Sequence, residues 1–408
     1  MNYIVVGASA AGINGVKTLR KLNPEAKITL ISKDEFIYSR CILHHLIEEK
    51  RDIKQLEFIE DGFIEKNNIH WIKNTAVESV QKDERTVQLS NGDKITYDKL
   101  LLATGANTFY PPITGLKEAR NVVGLRNLED ALTIKEKAKQ AKNIIVMGAG
   151  LVGIDAISGL LRVDATITLV EFKGHMLSMQ LDEFAAQTYE KAFKEKGVTQ
   201  HFNVAMTEVL MDEQGNICSV KLSNGDELPC DLLIGAAGVR SNVALLEGSG
   251  IETDRFGLIF DAYGKTSDPF IFGAGDISGR NPIWPTAVKE GIIAASNMSN
   301  KEIALTDFFA SKSTMNFLDI ATLSLGTPMP PDDSYTVETL IGDKDYKKII
   351  HKDGVIYGAI IQGDLAYAGV LTQLIKEKID ISKVKKPLFD IDYSDFFNLN
   401  SDLQFDYE

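Results

Sequence analysis

The chain has 408 residues, 44% of them apolar, and carries 44 basic against 57 acidic side chains for a formal charge of −13. That length and apolar content suffice for two or three hydrophobic cores, whereas the acidic balance argues against a nucleic-acid partner, whose phosphates want basic surface. No apolar run is long enough to cross a bilayer, and the first strand begins within three residues of Met1, which leaves no room for a secretory signal, so a cytoplasmic protein without a membrane partner is expected.

Residues 3–6 form an apolar strand that runs directly into Gly7-Ala8-Ser9-Ala10-Ala11-Gly12. Small residues at such a strand-to-helix turn let the backbone approach a pyrophosphate, whose charge is met by the helix N-terminal amides and dipole. Two departures leave the nucleotide unidentified. Ser9 stands in place of the middle glycine, and Ser32, followed by Lys33, closes the next strand where an acid would contact a ribose. Serine still donates a hydrogen bond, and Asp34 and Glu35 stand just beyond as alternative ribose partners.

The three cysteines, Cys41, Cys218 and Cys230, form neither a disulfide framework nor a zinc pattern. Adjacent histidines such as His44 and His45 diverge by about 100° on a helix, and no other ligand cluster accompanies them, so no metal is expected. A polar segment with a hairpin signal at Asn91-Gly92 leads to the apolar strand 99–102, the tight turn Ala103-Thr104-Gly105 and a linker at Pro111-Pro112.

From residue 113 the pattern restarts. A helix over 127–141 precedes the strand 144–147 and a second turn, Gly148-Ala149-Gly150-Leu151-Val152-Gly153. The strand 167–170 then ends in Glu171, placed to accept a ribose 2′-hydroxyl, with only Phe172 and Lys173 behind it; that favours NAD(H) over NADP(H). A helix over 181–196, strands within 203–225 and a second hairpin signal at Asn224-Gly225 repeat the first half, which marks an internal duplication with the second copy inserted in the first. The strand 232–236, the turn Ala237-Gly238 and the segment 270–276 return the chain to the first unit. Alternation over 346–351 and 355–362 predicts an antiparallel sheet, and 365–378 has helical spacing; the aromatic, acidic tail 389–408 reads as an arm packed on its own domain or as a partner surface. The expected fold is α/β: two Rossmann-like three-layer domains, 1–112 with 235–301 and 113–234, plus a C-terminal α+β domain over 302–408.

Four motifs in chain order, the Gly7 turn, Leu102-Ala103-Thr104-Gly105, the Gly148 turn, and residues 266–276 ending in Gly273-Ala274-Gly275-Asp276, together resemble the FAD-dependent pyridine nucleotide-disulfide oxidoreductase superfamily over residues 1 to about 300. Within it the chain is most similar to the rubredoxin reductase and NADH oxidase-like group, including flavoproteins that accompany iron–sulfur subunits of carbon monoxide dehydrogenase. The resemblance implies that Gly7, Ser9, Ala10, Ala11 and Gly12 hold the FAD pyrophosphate, with Ser32, Lys33 and Val77 in the same site. It also places Ala103, Thr104 and Gly105 near the flavin nucleotide, Gly275 and Asp276 at the ribityl chain, and Gly238 among the cofactor contacts. Tyr38-Ser39-Arg40 is similar to a Tyr-x-Arg element whose guanidinium reaches the FAD phosphates through paired donors. Trp284-Pro285-Thr286-Ala287 looks like the stretch that brings Pro285, Thr286 and Ala287 to the flavin ring, with Glu290 where many relatives have glutamine. In the second unit Gly148, Gly150, Leu151, Val152, Gly153 and Glu171 would bind NAD(H), and Asp155 stands where relatives carry a glutamate lining the nicotinamide channel.

Cys41 falls where single-cysteine members keep a redox thiol, and Arg40 beside it would lower the thiol pKa. Yet Ile42-Leu43-His44-His45 follows rather than Gly-Leu-Pro-Tyr, and Ala10 stands where oxidases and peroxidases have histidine, so a packing cysteine is the competing expectation. The implied activity is electron transfer between NADH and an iron–sulfur carrier, rubredoxin or ferredoxin-like, through FAD. Two alternatives are a single-cysteine NADH oxidase or coenzyme A-disulfide reductase using Cys41, and a non-catalytic flavin-bearing subunit. Lys347-Lys348 and the group Lys383, Lys385 and Lys386 are candidate docking cations for such a carrier, in a homodimer or a hetero-complex.

Overall fold

The computed structural model describes residues 1–306, 312–343, 345–366, 368–399, 401–402 and 405–407. Its helices are α1 (Ala10–Leu22), α2 (His44–Ile47), α3 (Phe63–Lys66), α4 (Leu128–Ala138), α5 (Leu151–Leu160), α6 (Glu183–Glu195), α7 (Trp284–Met298) and α8 (Ala368–Glu377).

Asn2–Val6 is the central strand of a five-stranded parallel sheet, flanked by Lys99–Leu102 and then Ile271–Gly273 on one side and by Lys27–Ile31 and then His70–Ile72 on the other. Tyr3, Ile4 and Val5 are wholly buried because both faces of the sheet are covered, as parallel sheets require. The contribution of residues 271–273 to this sheet means the chain comes back to it after the second unit. On one face α1 crosses α7 closely: a Cβ on Gly291 would lie 2.1 Å from the Ala11 carbonyl oxygen, so only glycine allows that approach.

The second unit repeats the plan. Asn143–Met147 is central, between Thr166–Val170 with Thr199–His201 and Leu232–Gly235 with Val122–Gly124, all parallel. Each unit also carries a three-stranded antiparallel sheet, Val77–Gln81, Thr86–Leu89 and Lys94–Thr96 in the first and Met206–Met211, Ile217–Leu222 and Glu227–Pro229 in the second. Both contain the tight turn signalled by Asn-Gly, with Gly92 and Gly225 at φ 91° and 93°. Ala106–Thr108 and Val239–Ser241 pair antiparallel at the crossing between the units. The strand over 232–235 belongs to the second sheet.

The C-terminal part is an antiparallel sheet in the order Ser313–Phe317, Ile320–Gly326, Val355–Gln362, Tyr346–Lys352, Thr336–Ile341, packed on α8. Of the tail, residues 400, 403, 404 and 408 lie outside the described residues, as does residue 367 in the expected helix; ahead of them Ile391 is fully buried in the C-terminal core. This sheet docks on the second unit through polar groups shielded from water. Tyr189 on α6 donates to the Ile320 carbonyl and accepts from Thr322 Oγ1, both at 2.7 Å, and Gln362 Nε2 donates to the Ala185 carbonyl. Asp182, the N-cap of α6, accepts from Ala185 N at 2.9 Å, from Tyr346 at 2.7 Å and from Lys348 Nζ at 2.8 Å. Burial alone would raise the Asp182 pKa, but these donors hold it below the ordinary carboxylate value.

This corrects the reading of Lys348 as a docking cation. Lys348 is 5% exposed and locked to Asp182, because a charge on an inward-facing strand position must be paired to be buried at all. Lys386 is held by Asp392 at 2.9 Å and Asp395 at 2.7 Å. Lys383 and Lys385 remain exposed. No helix among the described residues is long and apolar enough to cross a membrane.

Candidate nucleotide sites

The first glycine turn and the residues that converge on it form one elongated cavity. Gly7, Ser9, Ala10 and Ala11 line its floor at the N-terminus of α1. Gly7 has φ +111°, and a Cβ there would lie 2.1 Å from the Ala103 carbonyl oxygen; one on Gly12 would lie 1.8 Å from the Gly7 carbonyl oxygen. The turn is therefore tight enough to aim the helix amides into the cavity. Ser9 makes no capping hydrogen bond and the first turn holds no acid, so those amides keep their preference for an anion.

Ser32, Lys33, Asp34, Val77, Ala103, Thr104, Gly105, Gly275, Asp276, Trp284 and Ala287 also line the cavity, with Arg40 and Cys41 among them. Gly12, Pro285, Thr286 and Gly238 do not line it; Gly12 is packed against Gly7, Pro285 is exposed at the first turn of α7 and Thr286 is buried. Of the alternative ribose partners, Asp34 lines the cavity while Glu35 faces Lys73 at 3.9 Å. Ser32 Oγ donates to the Asp34 carbonyl at 2.9 Å and accepts from Trp71 Nε1 at 3.0 Å. An anion-seeking helix N-terminus in a cavity that also offers Ser32, Asp34, Thr104 and Asp276 fits a dinucleotide such as FAD.

Sequence reasoning missed Arg126, Asn127 and Asn242. Arg126 reaches across the cavity to Asp276 and donates from Nε to the Ala106 carbonyl at 3.0 Å. Asn127 caps α4 in a capping box with Asp130, a signal that the order Asn-x-x-Asp carries. Asn242 Nδ2 donates to the Thr104 carbonyl at 2.9 Å and its own carbonyl accepts from Thr104 Oγ1 at 2.9 Å. Glu290 Oε2 accepts from Gly275 N at 2.7 Å; burial pushes this acid up to about 7.

Arg40 lines the cavity with its guanidinium engaged by protein acceptors: Asp34 at 2.6 Å, Tyr38 at 2.9 Å, the Arg126 carbonyl at 3.0 Å and Asn127 at 2.5 Å. The expectation that Arg40 activates Cys41 is thereby corrected. Cys41 is itself exposed to the cavity, but the protein packed around it, and after that Asp155, push its thiol up to about 11, against a smaller opposite pull from Arg126. The Arg40 charge is already neutralised by Asp34.

The second turn repeats the first. Gly148 has φ +109° and a Cβ on it would lie 2.5 Å from the Ala236 carbonyl oxygen; one on Gly153 would lie 1.9 Å from the Gly148 carbonyl oxygen. Gly150 caps α5, with Leu151 and Val152 in its first turn and no acid there. Glu171 accepts from Ala149 N at 2.6 Å and from Lys173 N at 2.8 Å, which fixes its carboxylate beside the turn where a ribose would lie. One turn into α5, Asp155 Oδ1 meets His44 Nδ1 at 3.3 Å.

The two histidine rings do not diverge as expected: their centroids are 4.1 Å apart, since α2 is a single short turn. His44, His45 and Glu48 place three potential ligand atoms within 4.8 Å of one another. Glu48 is already bound to His45 at 2.6 Å and to Lys50 at 2.8 Å, so its charge is compensated by protein.

The family model described as pyridine nucleotide-disulphide oxidoreductase matches residues 1–291, and that of the rubredoxin NAD+ reductase C-terminal domain matches residues 312–379. The epsilon subunit of NADH-dependent phenylglyoxylate dehydrogenase from Aromatoleum evansii is 28% identical, covering 94% of this chain and 93% of its own. Nitrite reductase [NAD(P)H] of Bacillus subtilis is 26% identical over 94% of this chain, which spans 48% of it. Among solved structures, NADH:rubredoxin oxidoreductase from Clostridium acetobutylicum superposes with a TM-score of 0.75 at 22% identity, covering 94% of this chain and 97% of its own. With its two nucleotide sites matched end to end, the chain belongs to the pyridine nucleotide-disulphide oxidoreductase family, which binds FAD and NAD(H).

Proposed function

We propose that the protein is an NADH:acceptor oxidoreductase that takes a hydride from NADH onto FAD and passes the electrons to a small iron–sulfur carrier of the rubredoxin or ferredoxin type. When bound, FAD supplies the conversion of a hydride into electrons that leave singly or in pairs. The chain supplies alignment and exclusion of water. The α1 amides and Gly7 turn hold the pyrophosphate, Arg126 and Asp276 pair across the cavity, and the Gly148 turn with Glu171 holds the nicotinamide nucleotide.

The observation that carries this reading is the placement of Asp155: on the helix opened by the second turn, it lies 3.3 Å from His44, three residues along the chain from Cys41 in the lining of the first cavity. A nicotinamide held at α5 is thereby directed at the first cavity. The same thiol, at about 11, is overwhelmingly protonated at neutral pH, which disfavours an obligatory Cys41 nucleophile. Mixing the FAD-loaded protein with NADH under argon should bleach the flavin, and rubredoxin or ferredoxin should restore its colour. Cys41→Ser should keep both steps. A flavin that NADH does not bleach would sink the enzymatic reading and favour a non-catalytic flavin subunit, while loss of transfer in Cys41→Ser would favour the thiol-dependent alternative.

A further inference from the structure

Two contacts pin His44 to one face of α5. Its ring meets Asp155 at 3.3 Å. One turn along the same face, α2 approaches Gly159 so closely that a Cβ there would lie 3.0 Å from the His44 carbonyl oxygen and 3.2 Å from Ile47 Cβ. Residues 155 and 159 are i, i+4 neighbours on a helix, so side chain and backbone of His44 are both registered on α5. Three residues before His44, Cys41 lines the first cavity. The pair thus lies in the wall between the two nucleotide sites.

Resting on the reading that NADH binds at the Gly148 turn, we propose that His44 is a positioning residue for Asp155, anchoring the carboxyl and its proton beside the path a nicotinamide ring takes from α5 to the first cavity. Burial supports the protonation: it pushes Asp155 up to about 8 and His44 down to about 4, so at neutral pH the acid is uncharged and the imidazole, whose Nδ1 lies 3.3 Å from Oδ1, is neutral and able to accept its proton. His45, Glu48, Lys50 and Arg51 surround His44 with charges of both signs, and Asp155 in turn acts on Cys41, which also feels Arg126 and Asp276.

The consequence is a proton linked to the redox state of the nucleotide. Reduced nicotinamide is neutral and oxidised nicotinamide is cationic, so a neutral acid suits the first and a carboxylate the second. Binding of NAD+ should therefore drive Asp155 from carboxylic acid to carboxylate with release of one proton to solvent. By the same linkage NAD+ affinity should rise with pH through the Asp155 ionisation.

Infrared titration of the FAD-loaded protein without nicotinamide tests the pair independently of turnover. We expect a carboxylic-acid C=O band at neutral pH that Asp155→Asn removes and that titrates near pH 8. His44→Asn, which keeps an acceptor at the Nδ1 position, should leave the midpoint in place. His44→Phe and His44→Leu, which remove the partner of the neutral acid, should lower it by about one unit. NAD+ affinity should follow the same midpoint in wild type and lose its pH dependence in Asp155→Asn. Absence of the acid band at neutral pH, or a midpoint unmoved in whichever apolar His44 variant folds, would overturn the assignment. A wild-type flavin that NADH fails to bleach would instead refute the proposed function and leave the band to be judged on its own.

Discussion

The two glycine turns are built to the same backbone plan and differ only where a ligand would touch them. In both, the first glycine abuts a carbonyl at the end of the neighbouring strand, Ala103 or Ala236, and the last abuts the carbonyl of the first, at 1.8 and 1.9 Å for a hypothetical Cβ. At the middle position Gly150 has nothing within 4 Å, and Ser9 occupies the equivalent place without strain at φ −110°. The outer glycines are thus demanded by the fold itself, and the middle one by whatever approaches from outside. The acid at the end of the second strand separates the sites further: Glu171 is tied to its own turn, whereas Ser32 is buried against Trp71 and the Asp34 carbonyl.

If the outer glycines are equivalent, Gly12→Ala and Gly153→Ala should each cost about 4 kcal/mol or more, since the new methyl overlaps backbone that cannot yield. Denaturant unfolding measures this, and a variant of either turn that keeps wild-type stability would break the equivalence. A smaller effect should distinguish the acids. Glu171→Ala should weaken NADH binding about tenfold, the loss of one charge-assisted hydrogen bond, and narrow the preference over NADPH while FAD retention stays unchanged.

The sites should also differ in pH response, through Glu290 beside Gly275 and Asp155 on α5, raised to about 7 and about 8. In FAD-free protein both acids bind protons more tightly folded than unfolded, so their contribution is full below the ordinary carboxylate range and is lost as pH rises through those values. Glu290→Gln should flatten the fall in melting temperature up to about pH 7, and Asp155→Asn the fall up to about pH 8, with the larger effect from Asp155, whose shift is the larger; identical pH profiles for wild type and both variants would contradict the burial argument. Smallest of all, Ser9→Gly and Gly150→Ser should change stability by no more than about 0.5 kcal/mol, and Gly150→Ser should register instead in NADH affinity.

What was legible in the sequence was whatever a local pattern encodes. The duplicated turns, the paired Asn-Gly hairpins and the acid after the second strand stand in the chain as they are built in the fold. The Asn127 cap is written there too, as Asn-x-x-Asp. Illegible were pairings between distant segments. Nothing near Arg126 announces Asp276, and nothing near His44 announces Asp155. The misreadings share that cause: Arg40 beside Cys41 looks activating until Asp34 is seen to neutralise it, and Lys348 looks like a surface cation until Asp182, far away in the chain, is found against it.

That buried Asp182 contact has an engineering corollary. The C-terminal sheet is not a portable module: cutting it away would strip Asp182 of Tyr346 and Lys348 together and leave Tyr189 without its partners at Ile320 and Thr322. A chimaera carrying another enzyme's C-terminal domain would have to bring both a cation and a hydroxyl to the head of α6. Any carrier that grips this sheet thereby also handles the part of the molecule that contains the Gly148 turn.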